Sequence, residues 1–199
     1  MTSSTADHVP HAQLSVEDFE QLARTSPETV TLELINGKPA VKPVPDGDHD
    51  EIIMWVAMQC MRQQPELRLY RERGLRIGGY RNGRARPDGT LARAGRFAGD
   101  GEWSNPDRIL MTVEVTSHGH DIDSRDRMEK RDAYAAAGIP VHLLVDRDHD
   151  HDHDTLVAHS EPDRGRYRQQ HSYDYGDAVP LPGPVDITLD TEELKDYAR

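Results

Sequence analysis

Glu114 is a carboxylate inside one of the most apolar segments of the chain, residues 109–116. This segment is short and rich in β-branched residues, which predicts a buried strand. An ionised carboxylate in a buried strand costs free energy unless it has a partner, and a bound metal ion is one functional way to retain it. A strand-end glutamate bonded to an arginine is the structural alternative, and Glu114 alone does not separate the two.

Asp88 is a second acid, and it follows a proline on a separate predicted strand, residues 85–92. Two acids from two core strands can converge at one edge of a sheet and hold Mg²⁺ through oxygen ligands. The backbone carbonyl of Val115 could supply a third oxygen. Asp88 and Glu114 together therefore predict a metal site.

Lys130 lies on the helix that is predicted to follow the Glu114 strand. Asp126 and Lys130 share one helical face, and Tyr134 extends that row. A lysine packed against two acids can orient an attacking water molecule and stabilise charge that develops on a phosphate. The alternative is a surface lysine paired with Asp126.

The N-terminal half of the chain must supply the Asp88 strand and its neighbours. A short helix begins near Leu14 with Ser15 as its cap, and Asn36-Gly37 is a strong hairpin turn. Apolar residues at helical spacing predict a second helix, capped by Asp48. The predicted helices cover about 14–23 and 49–62, the strands cover 30–35, 38–44, 67–70, 75–77 and 85–92, and a Gly-rich polar loop covers 93–107.

The C-terminal half contains the segment that must position Glu114 and Lys130. A helix is predicted from Asp121 or Asp123 to about residue 137, where Gly138 ends it. The strand–helix–strand order over residues 109–146 predicts a right-handed parallel crossover. The last predicted elements are a hairpin of strands near 155–159 and 166–173, a loop at 180–184, a strand at 185–189 and a short helix at 192–197.

The length and composition of the chain predict one domain. Its 199 residues and single cysteine suit one globular unit with no disulfide, in a reducing compartment. We expect a flexible tail over residues 1–12 and one domain over 13–199. No apolar run reaches the ~18–20 residues that span a membrane, and the N-terminus lacks the pattern of a signal peptide. The expectation is a soluble, cytoplasmic protein.

The charge of the chain is unevenly distributed. The net charge is −12, yet residues 62–96 hold ten arginines and three acids, a net charge of +7 that leaves −19 for the remainder. A basic block around Asp88 is compatible with a surface that faces phosphates. The alternative is that these arginines lie at strand ends, in solvent, and pair with the acidic remainder.

An ordered series of short motifs resembles a known family. The series resembles the bacterial Uma-two family of restriction endonucleases, within the PD-(D/E)XK nuclease superfamily, over roughly residues 14–190. No single motif is specific, whereas their order and spacing are. The motifs are Glu33 to Gly37, His49 at the head of a helix, Arg86-Pro87-Asp88, Val113 to Ser117, the series Asp126, Lys130, Tyr134 and Gly138-Ile139-Pro140, and Leu144-Val145-Asp146.

The resemblance implies an α/β (α+β) fold of restriction-endonuclease type, with a mixed sheet of three to five strands flanked by helices. It implies a Mg²⁺ or Mn²⁺ site and a nucleic acid substrate, expected to be DNA. Cutting both strands is easiest for a symmetric dimer, so a homodimer is expected. Residue by residue, it implies Asp88 and Glu114 as metal ligands, Lys130 as the catalytic lysine, Glu33 as an accessory acid, and His49 and Arg86 as residues near the substrate.

Three positions depart from the family pattern. The superfamily lysine lies two residues after the acid, where this chain has Thr116, so the lysine has moved to the following helix at Lys130. The strand after Gly138-Ile139-Pro140 lacks its usual aromatic residue. Gly89 follows Asp88, where a β-branched residue is expected, and weakens that strand.

The expected reaction is metal-dependent hydrolysis of a phosphodiester. The metal polarises the phosphoryl oxygen and lowers the pKa of a bound water, while Lys130 positions that water and Glu33 holds a second ion or a water. Two alternatives stay open. One is a catalytically idle scaffold or binding module of the same fold. The other is a hydrolase of a small phosphate ester, which a closed pocket rather than an open basic groove would favour.

Two histidine-containing segments also invite metal binding. The Asp–His run at 148–154 has ligands suited to Zn²⁺, Ni²⁺ or Cu²⁺, but alternate residues in an extended segment lack supporting contacts. We expect a solvated hairpin loop there. His118 and His120 flank the end of the Glu114 strand, and a polar loop is the simpler interpretation.

Overall fold

The computed structural model describes residues 14–78, 82–116, 124–147 and 155–197, and their side chains except at 124–127. The predictions for the tail at 1–12, for His118 and His120 and for the run at 148–154 lie outside these residues. The helices are α1 (Val16–Thr25), α2 (Gly47–Gln63), α3 (Ser124–Ala136) and a 3-10 helix (Glu192–Tyr197). The strands are β1 (Thr31–Ile35), β2 (Lys38–Lys42), β3 (Leu67–Arg71), β4 (Gly74–Ile77), β5 (Gly83–Ala85), β6 (Gly89–Arg93), β7 (Trp103–Ser104), β8 (Met111–Val115), β9 (Val141–Asp146), β10 (Thr155–Asp163), β11 (Arg166–Asp174), β12 (Ala178–Leu181) and β13 (Ile187–Asp190).

A six-stranded sheet in the order β11-β10-β9-β8-β6-β3 forms the centre of the molecule. Its only parallel pair is β8 with β9, joined through α3, and this confirms the predicted parallel crossover. The other four neighbouring pairs are antiparallel. The fold is the predicted mixed α/β domain, although this sheet has six strands rather than three to five.

The two faces of the sheet differ because side chains alternate along each strand. Met111, Val113 and Val115 of β8 point into the main apolar core, which α2 and the C-terminal hairpin cover. The intervening residues, Thr112 and Glu114, therefore face the opposite side. Residues of α3 contact this side, as the hydrogen bond from Tyr134 to Glu114 shows.

A second sheet, in the order β2-β1-β5-β4-β7, lies beside the first. Its β1–β2 hairpin turns at Asn36 and Gly37, whose φ angles are 51° and 78°. Both positive values are what a two-residue hairpin turn requires, so the predicted turn is confirmed. The strands β12 and β13 form a separate two-stranded sheet.

The prediction of one continuous strand over residues 85–92 is wrong at the point where Asp88 lies. The chain leaves β5 at Ala85 and enters β6 at Gly89, and these strands belong to different sheets. Pro87 cannot donate a ladder hydrogen bond, which explains the break. Asp88 therefore lies where the chain passes from one sheet to the other.

Other boundaries also differ from expectation. The N-cap of α2 is Asp46, whose side chain accepts from the His49 N–H at 2.8 Å, rather than Asp48. The loop predicted at 93–107 contains the short strand β7, and the loop at 180–184 begins inside β12.

No helix in the described ranges combines the length and the apolar character needed to cross a membrane.

Candidate active site

Three acids from separate elements converge between the two sheets. Glu33 comes from β1, Asp88 precedes β6 and Glu114 lies on β8. Glu33 and Asp88 are only 5 % and 4 % exposed. Because buried carboxylates need compensating partners, the contacts around them define what this acid–lysine cluster (Glu33, Asp88, Glu114, Lys42, Lys130) can do.

Lys130 joins two of the acids. Its Nζ lies 2.8 Å from Glu114 Oε1 and 3.1 Å from Glu33 Oε2, and its side chain is 15 % exposed. The alternative of a surface lysine is therefore wrong. Tyr134, one helical turn further along α3, donates its hydroxyl to Glu114 Oε1 at 2.6 Å. Glu114 is thus held by a lysine and a tyrosine rather than by an arginine.

Asp88 is held on both of its oxygens. Lys42 Nζ lies 2.6 Å from Oδ1, and His49 Nε2 lies 3.1 Å from Oδ2. The backbone N–H of Val115 also donates to Oδ2, at 2.7 Å. Val115 therefore contacts Asp88 through its backbone N–H. The role of the Val115 carbonyl as a metal ligand stays a prediction.

Pairing keeps Asp88 ionised despite its burial. Burial raises the pKa of Asp88, but the charge of Lys42, the hydrogen bond and charge of His49 and the charge of Lys130 outweigh it. The resulting pKa lies well below the usual range for aspartate. Asp88 is therefore a carboxylate at every pH at which the protein would work.

Glu114 shows the opposite balance. Burial raises its pKa to about 6, and the negative charges of Asp88 and Glu33 act in the same direction, while Lys130 opposes them. Burial lowers the pKa of Lys130, but Glu114, Glu33 and Asp88 together raise it above its ordinary value. Lys130 is consequently a permanent cation, whereas Glu114 can take up a proton in mildly acidic solution.

His49 reaches Asp88 from the first turn of α2. Its position depends on Asp46, which accepts from the His49 N–H and pairs with the almost fully buried Arg147 at 3.0 Å. Burial raises the pKa of Asp46, yet the Arg147 hydrogen bond and the other contacts leave it lowered. Arg147 thereby ties the start of α2 to the end of β9.

Arg86 contributes its backbone rather than its guanidinium to the cluster. Its N–H donates to Glu33 Oε1 at 2.6 Å, and its carbonyl accepts from Lys42 Nζ at 2.6 Å. The guanidinium instead pairs with Glu102 and lies 4.5 Å from the centre of the Trp103 ring. Contact between the Arg86 side chain and substrate stays a prediction, and this placement does not favour it.

Most of the basic block is already neutralised by the protein itself. Of its nine arginines in the described ranges, five lie within 4 Å of a carboxylate, which favours the alternative of pairing with the acidic remainder. The pairs are Arg71 with Asp50, Arg84 with Glu20, Arg86 with Glu102, Arg93 with Glu66, and Arg96 with Asp100 and Asp107.

Lys42 is the site residue that sequence reasoning missed. The hairpin register pairs Glu33 with Ala40 and Thr31 with Lys42. Directly paired residues point to the same face, and so do alternate residues on one strand. The Asn36-Gly37 turn alone would have placed Lys42 on the face that carries Glu33.

The donor chemistry of the cluster fits a hard divalent cation. Three carboxylates face two lysine ammonium groups, so a negative charge remains. Both described bonds to Glu114 end on Oε1, and Mg²⁺ needs only one or two carboxylates because it keeps several waters. The described part of the chain contains no group of three or more His, Cys, Asp or Glu side chains that could hold a metal ion by themselves. Asp88 and Glu114 with water are thus the set that fits.

Comparisons with known proteins agree on family and fold. The family model Uma2, described as "Putative restriction endonuclease", matches residues 16–192. A crystal structure of a putative nuclease from Anabaena variabilis ATCC 29413 is similar with a TM-score of 0.69 and 18 % sequence identity, covering 94 % of this chain and 99 % of that one. No curated protein has a significantly similar sequence.

Proposed function

The chain belongs to the Uma2 family of putative restriction endonucleases, and from that premise we propose that it is a metal-dependent endonuclease that hydrolyses phosphodiester bonds of DNA. One observation carries the proposal: three buried acids and Lys130 meet at one point, with Lys130 Nζ within 3.1 Å of two of them. Burying that many charges costs free energy, and a functional role is one reason for a protein to retain them. Metal-assisted phosphoryl chemistry is such a role.

Asp88 and Glu114 are the residues that would hold Mg²⁺ or Mn²⁺, with the Val115 carbonyl as a further oxygen ligand. When bound, such an ion supplies Lewis acidity at the phosphoryl oxygen and makes a bound water more acidic. Glu114 is ready for this role above about pH 6, where its carboxyl is ionised.

Lys130 supplies a fixed positive charge beside the acids. The raised pKa of Lys130, which Glu114, Glu33 and Asp88 cause against the effect of burial, keeps its ammonium charged. An ammonium held in place needs no reorganisation when negative charge develops on a phosphate, and it can orient the attacking water. Glu33 fixes the direction of Lys130, since its other oxygen is anchored by the Arg86 N–H. This orienting task accompanies the accessory role that the sequence predicts for Glu33.

His49 and Tyr134 would act as positioning residues. His49 holds Asp88 Oδ2, and Tyr134 holds Glu114 Oε1, each with a hydrogen-bonding group from a helix. The two helices lie on opposite faces of the six-stranded sheet, so Glu114 is held between β8 and α3, and Asp88 is held between the Val115 N–H of β8 and α2. These contacts keep both carboxylates at a fixed separation for a shared ligand.

A hydrolase of small phosphate esters is the second candidate. A cleft of about 450 Å³ lies beside Lys42 and is lined by Thr29, Thr31, Pro43, Val44, Pro45, Arg71 and Glu72 as well as Lys42. A volume of this size lies within the range of small-molecule sites. The neutralised arginines of the basic block also leave less free positive charge for a long polyanion. The intact cluster argues against an idle scaffold.

The test compares wild type with Asp88→Asn on supercoiled plasmid, single-stranded DNA and bis(4-nitrophenyl) phosphate, in Mn²⁺ and in EDTA. The proposal expects the DNA substrates to be cut in Mn²⁺ only, and Asp88→Asn to lose that activity while melting as a folded protein. Hydrolysis of the small ester alone would favour the second candidate. No hydrolysis by folded wild type would favour an idle scaffold. Sedimentation velocity would test the proposed homodimer.

A further inference from the structure

Lys42 holds Asp88 in the way that a bound cation would. Its side chain is 8 % exposed, and its Nζ lies 2.6 Å from both Asp88 Oδ1 and the Arg86 carbonyl oxygen. Both contacts are with oxygen atoms of the kind that also bind Mg²⁺ or Mn²⁺. An ammonium group thus occupies a position between a carboxylate and a carbonyl that a metal ion would also favour.

Each oxygen of Asp88 already has at least one partner in this arrangement. Oδ1 is taken by Lys42, while Oδ2 accepts from the Val115 N–H and lies 3.1 Å from His49 Nε2. The N–H of Val115 belongs to the backbone of a central strand and cannot move aside. A dication that binds Oδ1 on the side of the Arg86 carbonyl would take the position of the Lys42 ammonium, and the two like charges would repel each other.

We propose that Lys42 is an exchangeable counter-cation, which holds Asp88 in the metal-free protein and which a divalent metal ion displaces from Oδ1 when it binds. This inference rests on the proposed metal-dependent function, and it adds a regulatory residue to the same site. Lys42 and the metal ion compete for one carboxylate oxygen.

The fold gives Lys42 a route out of the cluster. Lys42 ends β2, which is the edge strand of its sheet, and Pro43, Val44 and Pro45 follow it along the wall of the cleft. The cleft gives the four-carbon side chain space to leave Asp88 by rotation about its own bonds. Glu72 lines the same cleft and offers the displaced ammonium another carboxylate.

Competition predicts that removal of Lys42 strengthens metal binding. Lys42→Met deletes the ammonium and keeps an apolar side chain of similar length. Asp88 then lacks its main counter-charge in the metal-free state, so the variant is less stable without metal and gains more from it. Lys38→Met is the matched control, because Lys38 lies on the same strand, is 62 % exposed and pairs with Glu129 outside the cluster.

The experiment is a calorimetric titration with Mn²⁺ alone, at pH 7.5, of wild type, Lys42→Met, Lys38→Met and Glu114→Gln. Thermal melts of each protein with and without Mn²⁺ accompany the titration. We expect at least about tenfold tighter binding in Lys42→Met, wild-type affinity in Lys38→Met and no binding in Glu114→Gln. The melting temperature of Lys42→Met should lie below that of wild type in EDTA and approach it in Mn²⁺. If Lys42→Met does not fold, Lys42→Gln takes its place, because glutamine keeps a hydrogen-bond donor without the charge.

The failures of the two proposals are distinguishable. If wild type binds Mn²⁺ through Glu114 but the Lys42 variants bind it no more tightly, the role of Lys42 is wrong and the metal-dependent function stands. Weaker binding by the Lys42 variants would also overturn the competition, because Lys42 would then support the metal site. If neither wild type nor any variant binds Mn²⁺, both proposals are wrong.

Discussion

Two buried polar clusters adjoin at Tyr134 of α3. The acid–lysine cluster lies at the end of β8. The second, the histidine cluster, consists of His142, His159, Thr112 and Tyr167. His142 Nδ1 lies 3.2 Å from Thr112 Oγ1, and the two histidine rings are 5.5 Å apart. Tyr134 touches both clusters, because its hydroxyl bonds Glu114 and its ring lies 5.4 Å from that of His142.

Burial has opposite consequences in the two clusters. Burial lowers the pKa of His142, and the charges of His159, Lys130 and Arg131 lower it further. Burial also lowers the pKa of His159, with Arg131 adding to the effect. These histidines are therefore neutral. In the acid–lysine cluster, by contrast, carboxylates and ammonium groups of opposite charge lie within hydrogen-bonding distance, and Asp88 and Lys130 keep their charges.

The difference is the one expected between a structural polar cluster and the active site that we propose. Neutral side chains are a cheaper way to fill a buried polar site than charged ones, and the histidine cluster follows this pattern. The acid–lysine cluster retains charges where apolar residues would often be as stable. The predictions below ask whether the two clusters behave as differently as their electrostatics require.

The largest effect is expected for Lys130→Met. It leaves Glu33 and Glu114 without their shared cation, so cleavage should fall at least about 10³-fold. The free energy of unfolding should fall by about 3 kcal/mol because buried charge is left unpaired. Single-turnover cleavage and urea unfolding measure the two effects, and Lys38→Met provides the control. Cleavage at the wild-type rate by a folded Lys130→Met protein would contradict the assignment of Lys130 to the active site.

Cleavage by wild type should depend on the ionisation of Glu114. Because the pKa of Glu114 is raised to about 6, the proton-bearing form persists up to that pH. Metal binding requires the carboxylate, so the rate should fall about tenfold per pH unit below this point. A rate profile from pH 4.5 to 8 at fixed Mn²⁺ tests it, and higher Mn²⁺ should move the midpoint downward. A profile that stays flat to pH 5 would contradict the buried, protonatable Glu114.

The histidine cluster should make the fold sensitive to acid. The unfolded chain binds protons below about pH 6.5, whereas the buried histidines stay neutral, so stability is lost as the pH falls. Each such histidine contributes a slope of up to about 1.4 kcal/mol per pH unit. His142→Phe should flatten the dependence of unfolding free energy between pH 7 and 5, while its cleavage at pH 8 stays within a few-fold of wild type. An unchanged slope would show that His142 is not neutral in the fold.

Tyr134→Phe should have a moderate effect on the acid–lysine cluster alone. It removes one hydrogen bond to Glu114 and keeps the ring beside His142. The loss of unfolding free energy should be about 1 kcal/mol, and the pH midpoint of cleavage should rise because ionised Glu114 loses a donor. The change that His142→Phe makes to the acid-unfolding slope should be the same in the Tyr134→Phe protein as in wild type. A different effect of His142→Phe in the two proteins would mean that the clusters are coupled through Tyr134.

Arg93→Gln should have the smallest effect. Arg93 is 73 % exposed and lies 3.6 Å from Glu66. Exposed ion pairs of this kind contribute about 0–1 kcal/mol. If Arg93 belongs to a DNA-binding surface instead, the variant will cleave less DNA at raised salt without losing stability. A salt series of the cleavage rate separates these outcomes.

Local patterns in the sequence predicted the elements that carry most of the site. The Asn36-Gly37 turn predicted the β1–β2 hairpin, and the order of residues 109–146 predicted the parallel pair and the helix that bears Lys130. Both depend on interactions between residues that are close in the chain. Asp88, Glu114, Lys130 and Glu33 were named from sequence, and they converge in the structure.

The parts that sequence did not predict depend on long-range packing. The switch of Asp88 from one sheet to the other at Pro87 requires knowledge of which strands pair. The cap of α2 is Asp46, which also pairs with Arg147 from a distant part of the chain. Arg86 turns toward Glu102 and Trp103 for the same kind of reason. Lys42 alone could have been found locally, from the register of the hairpin.

The most direct test of the central claim is cleavage of supercoiled plasmid in Mn²⁺ by wild type and by Glu114→Gln, side by side. Glutamine keeps the shape of the side chain and cannot supply a carboxylate. We predict cutting by wild type that EDTA stops, and none by a Glu114→Gln protein that melts within a few degrees of wild type. Equal cutting by the two proteins would contradict the assignment of Glu114 to the active site. A folded wild type that leaves the plasmid intact would contradict the nuclease itself.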